Sequence, residues 1–63
     1  MMNTIHEMII ERAASIVYDS YNSVFPEDAY VMAIGEAEIE FDTEFQFKFD
    51  ERIKTKIIAK AVK

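Results

Sequence analysis

Residues 26–49 read "PEDAYVMAIGEAEIEFDTEFQFKF". Two periods are written over one another here. Read in twos, Ala37, Ile39, Phe41, Phe45, Phe47 and Phe49 fall on one side of an extended chain, with acids filling most positions between them. Gly35-Glu36 lies between two β-prone runs, and a two-residue loop with glycine first suits a type II′ hairpin. That register pairs Ile34 with Ala37, Met32 with Ile39 and Tyr30 with Phe41 on one face, and sets Val31 and Ala33 opposite Glu40 and Glu38 on the other. The competing reading is a helix from "PED" to about Glu38, with Pro26 in the first turn, where its missing N–H costs nothing.

The strand reading carries the expected fold. The alternation runs on through Ile53, Ile57, Ala59 and Ala61, and three-residue turns at 42–44 and 50–52 keep its parity. Lys54 and Lys56 alternate as they do on protected sheet edges. Against this, Ile53, Ile57, Ile58 and Ala61 also fit a helix, which would fold over the sheet and leave a monomer. The segment from Thr4 to Phe25 reads as one helix. Thr4 and Glu7 have capping-box spacing, and Pro26 turns Phe25 out of the α region. This helix has two apolar stripes. One is Ile5, Ile9, Ala13, Ile16, Val17, Ser20 and Val24; the other is Ile10, Ala14, Tyr18, Tyr21 and Phe25. The fold expected is α+β, one N-terminal helix packed on an antiparallel meander of three to four strands, in a single small domain spanning residues 1–63.

The chain has 63 residues, of which 51% are hydrophobic, with no cysteine and one histidine. A domain this short buries a modest share of its surface and is marginally stable. Disulfides, thiolate metal sites and histidine-rich zinc sites are excluded by composition. No run approaches the roughly 18–20 apolar residues of a membrane span, and Glu7 interrupts the N-terminal apolar stretch, so a cytoplasmic protein is expected. His6 reads as a surface helix residue. No Gly-containing acidic loop offers a calcium cage, and no metal or cofactor is expected. No nucleophile–base pair stands out, so the chain does not read as an enzyme.

Charge is the most distinctive feature. Net charge is −5, but residues 1–47 carry ten acids and one base, Arg12, whereas residues 48–63 carry six bases and two acids. Seven acids and no base lie between Glu27 and Glu44. A solvated sheet face explains polarity but not a single sign, because mixed charges gain cross-strand pairs and like charges repel. The row Glu36, Glu38, Glu40, Asp42 and Glu44, joined by Glu27 and Asp28, therefore reads as a binding face for a basic protein partner, one that itself binds nucleic acid. Direct binding of nucleic acid or membrane is disfavoured by the same sign. In the basic tail "KTKIIAKAVK" no aromatic group is interleaved for base stacking. Size, acidity and the lack of a chemical motif are similar in style to small phage or mobile-element proteins that block a host enzyme.

The functional expectation is a small acidic, non-enzymatic interaction protein that inhibits or sequesters such a partner through an acidic sheet face. The alternative is a structural or assembly subunit that forms a homo-oligomer through apolar helix and sheet surfaces. One helix covers little more than half of a four-stranded sheet, so Tyr18, Tyr21, Phe25, Phe45 and Phe47 are expected to form a homodimer interface.

Overall fold

The computed structural model describes residues 4–62. Three helices follow one another: α1 (Thr4–Asp19), α2 (Pro26–Phe41) and α3 (Glu51–Ala61). No strand or sheet occurs among the described residues, so the α+β meander is replaced by a small helical bundle. The helix reading of residues 26–38 wins, and so does the helix reading of the C-terminal segment.

Local chemistry explains α2. Phe25 is extended (φ −67°, ψ 148°) and Pro26 opens the first turn, with Glu27 and Asp28 beside the positive end of the helix dipole. Alanine and glutamate, which fill much of 29–40, favour helix and are depleted in strands. Ala29, Ala33 and Ala37 recur every four residues and are all buried, together with Tyr30. The apparent alternation of Glu36, Glu38 and Glu40 has a different consequence on a helix. Glu36 and Glu40 share one side, and Glu38 lies on the other.

Both helix–loop joints use the same device. Asn22 N–H donates to the Val17 carbonyl at 3.0 Å and Tyr21 N–H to the Tyr18 carbonyl at 3.1 Å. At the end of α2, Thr43 N–H donates to Glu38 O at 3.1 Å and Asp42 N–H to Ile39 O at 3.4 Å. These are Schellman pairs, and they require a left-handed residue. Tyr21 (φ 55°), Asn22 (φ 65°) and Asp42 (φ 51°) supply it. The long helix expected from Thr4 to Phe25 therefore stops at Asp19. Ser20 helps the chain turn, with its hydroxyl donating to Val17 O and accepting from Val24 N–H. Thr4 is helical and already part of α1, so it does not take the cap position expected of it.

The period-two pattern of 45–49 is nevertheless real. Residues 44–50 lie in no helix or strand and alternate in burial as an extended chain does, with Phe45, Phe47 and Phe49 half-buried and the residues between them exposed. They pack against the helical core instead of a neighbouring strand. Glu38 holds the start of this segment, its carboxylate accepting from Phe45 N–H at 3.0 Å. Asp50 ends it by capping α3, with Oδ1 accepting from Ile53 N–H at 2.9 Å. The expected turn at 50–52 and strand beyond are thus a helix N-terminus, and Ile53, Ile57 and Ala61 form its buried stripe. The two apolar stripes of α1 have a simple cause: α1 packs on both α2 and α3, which meet each other only narrowly.

Two substitutions test this architecture. A Cβ built at Gly35 meets nothing within 4 Å, and its φ is not positive. Gly35→Ala should therefore stabilise the protein by about 0.5–1 kcal/mol in urea denaturation; a hairpin with glycine in its turn would instead be destabilised. Tyr21 is 93% exposed and left-handed. Tyr21→Gly should raise the urea midpoint, by up to about 1 kcal/mol of stability, because it relieves the Cβ penalty. A continuous helix through residue 21 would lose a similar amount.

Candidate interaction surface

The chain's one imidazole is committed to the fold. His6 Nε2 and the Tyr30 hydroxyl are hydrogen-bonded at 2.8 Å, the donor set by the imidazole tautomer. The imidazole stacks on Phe47 with ring centroids 4.4 Å apart. Phe47 stacks in turn on Phe45, and Phe45 meets Phe41 edge-on. On the far side of His6, Tyr30 touches Phe49. One aromatic ladder thus joins α1, α2 and the extended segment. His6 is not the independent surface residue its sequence position suggests. The signal for its role was the odd-numbered phenylalanine run, which needs a surface to lie on. Tyr30 is 1% exposed. Burial first, and the nearby Asp50 carboxylate second, push its hydroxyl up to about 12.

The acids lie on two sides of α2, at its start and in the turn after it. Arg12 on α1 reaches across to Glu40 at 2.9 Å and to Glu36 at 3.8 Å. These carboxylates are one helical turn apart, so a single guanidinium can serve both. Arg12 is the lone base among the first 47 residues, and its role could have been inferred only from a helical α2. Glu38 is occupied by Phe45 N–H. Glu27 and Asp28 stand exposed at the start of α2, and Asp42 and Glu44 are exposed past its end. The seven candidate acids therefore lie on two sides and at both ends of a helix and on the turn after it, and the acidic sheet face does not exist.

The outermost side of α2 is not acidic in its middle. Val31 is 63% exposed, Met32 48% and Ile39 84%, with Gly35 between them. Helical geometry places these four opposite the buried Ala33–Ala37 side. Asp28 and Asp42 close the two ends of this stripe, and Glu36 and Glu38 flank it. Beside it lies a shallow hollow of about 680 Å³, bordered by Gly35, Glu38, Ile39, Asp42, Thr43 and Glu44.

The expected interface residues separate into two groups. Tyr18, Tyr21 and Phe25 are exposed around the α1–α2 turn. Tyr18 and Tyr21 border one cleft with Val62, and Phe25 borders another with Ile58 and Val62. Phe45 and Phe47 lie in the aromatic ladder instead. No cluster of three or more potential metal ligands forms among the described residues, and no helix there is long and apolar enough to cross a membrane.

Comparison with protein-family models, with curated proteins and with solved structures gives no match.

The Tyr30 site makes a pH-dependent contribution. An unfolded tyrosine ionises near pH 10, and the folded one near 12. Its ionised form is thus disfavoured by folding. The contribution is complete below about pH 10 and is lost as pH rises towards 12, at no more than about 1.4 kcal/mol per pH unit. Tyr30→Phe should flatten the fall in stability between pH 9 and 11 in denaturant titrations. At neutral pH it should cost about 1–2 kcal/mol, because His6 loses its partner.

Proposed function

We propose that this chain is a small acidic, non-enzymatic interaction protein that occupies or sequesters a basic protein surface through the carboxylates of α2 and the turn that follows. The observation that carries this reading is the single-sign charge from Glu27 to Glu44, which the fold leaves largely at the surface and part of which Arg12 offsets at Glu36 and Glu40. Keeping seven like charges on one helix and the turn after it opposes folding, and a partner of opposite sign would account for their retention. The commitment of His6 to Tyr30 and Phe47 supports a role without acid–base chemistry. On a helix, successive same-side carboxylates stand about 6 Å apart along the axis, sparser than the roughly 1.7 Å charge spacing of duplex DNA. A basic groove of a nucleic-acid-binding protein would therefore be matched in sign more than in detail.

A second reading, a homo-oligomeric assembly subunit, is favoured by the exposed apolar end formed by Tyr18, Tyr21, Phe25, Ile58 and Val62. Salt separates the two. The immobilised chain should retain a basic protein from its native host at low salt and release it before about 1 M, where the screening length is about 3 Å. A variant carrying Asp28→Asn, Glu36→Gln and Asp42→Asn should not retain it. That variant should keep its helical circular dichroism, since asparagine tolerates the left-handed position and Arg12 keeps Glu40. Retention that is indifferent to salt and to these changes would favour the assembly reading.

A further inference from the structure

We infer that the outer side of α2 is a docking strip for an amphipathic basic helix of the partner, whose apolar anchors lie along Val31, Met32 and Ile39 over Gly35 and whose flanking lysines or arginines meet the surrounding acids. This inference rests on the acidic-partner reading and specifies its geometry. The starting point is an inversion of the usual helix pattern. A helix in a small bundle buries one stripe and places charge opposite it. In α2 the charges lie on the flanks and at the ends, while the side opposite the buried alanines carries Val31, Met32, Gly35 and Ile39.

Gly35 makes this side approachable. A Cβ there would meet no atom within 4 Å, so among the described residues nothing packs directly onto this point of the helix. A second helix laid across glycine comes closer than the usual 8–10 Å between axes permits over larger residues. The hollow beside it is bordered by Gly35, Ile39 and Thr43 together with three acidic residues, Glu38, Asp42 and Glu44. A lysine or arginine suits such a border, with its stem along Ile39 and its charge near the acids.

Charge decides the occupant. A second copy's α2 would set Asp28, Glu36, Glu38 and Asp42 against the same acids. The chain's own basic helix is also a poor fit. Ile53, Ile57 and Ala61 of α3 are buried in the core, which leaves Ile58, Ala59 and Val62 as its exposed apolar residues, one turn of anchors against the two turns from Val31 to Ile39. A foreign helix with apolar residues at i, i+3 or i+4 and i+7, flanked by bases, satisfies both the apolar strip and its rim.

Two synthetic labelled peptides of identical composition test this. Both contain leucine, lysine and arginine. In the first the leucines follow helical stripe spacing; in the second they are scattered. Titrated with the full chain, the first should bind at least about tenfold more tightly than the second. The double variant Val31→Ser and Ile39→Ser should lose about tenfold for the first peptide and nothing for the second, with unchanged helical circular dichroism. The variant carrying Asp28→Asn, Glu36→Gln and Asp42→Asn should weaken both. Equal binding of the two peptides, untouched by the serine changes, overturns the docking strip and leaves the acidic-partner reading standing. Binding of neither peptide overturns both. If wild type sediments as a dimer and the serine variant as a monomer, a second copy occupies the strip, and the inference is overturned.

Discussion

The buried hydroxyl of Tyr30 is the constraint around which the rest is arranged. A phenol removed from water must keep a hydrogen-bond partner or forfeit its hydration. His6 of α1 supplies that partner, and to do so it must face α2. The imidazole then presents a flat ring to Phe47, and Tyr30 presents its own ring to Phe49. The next residue, Asp50, caps α3. One polar contact therefore ties together α1, α2 and the extended segment, and fixes where the third helix starts.

That device suits the core available. Six of the twelve buried residues among those described are alanine. Alanines let helices approach closely but remove little apolar surface from water. The aromatic ladder adds the larger groups, laid across the bundle by an extended chain instead of a fourth helix. In consequence α2 is covered on one side only. Its inner side meets α1 and the ladder, and its outer side keeps Val31, Met32 and Ile39 in solvent beside the acids.

The candidate surface was half legible beforehand. The acids from Glu27 to Glu44 stand out by count and sign, and the fold puts them on α2 and the turn after it. Their arrangement was not legible, because Glu36, Glu38 and Glu40 form one row on a strand and two sides on a helix. The apolar strip was invisible for the same reason. Met32 and Ile39 are cross-strand neighbours in a hairpin facing a core, and outward neighbours on a helix facing water. Arg12 could be matched with Glu36 and Glu40 only after both helices were in place.

What the sequence determined by itself was local. Pro26 turns Phe25 out of the α region and marks the boundary of an element, and Phe45, Phe47 and Phe49 must share a side of an extended chain. Composition also ruled out disulfides, and the charge imbalance survives any fold. Tertiary structure decided between the two periods written over residues 30–41. An alternating segment becomes a strand only if another strand accepts its backbone hydrogen bonds. The same residues become a helix when Ala29, Ala33 and Ala37 find an apolar neighbour that admits close approach. The wide apolar side of α1 is that neighbour, and no property of residues 30–41 alone could reveal that it would be there.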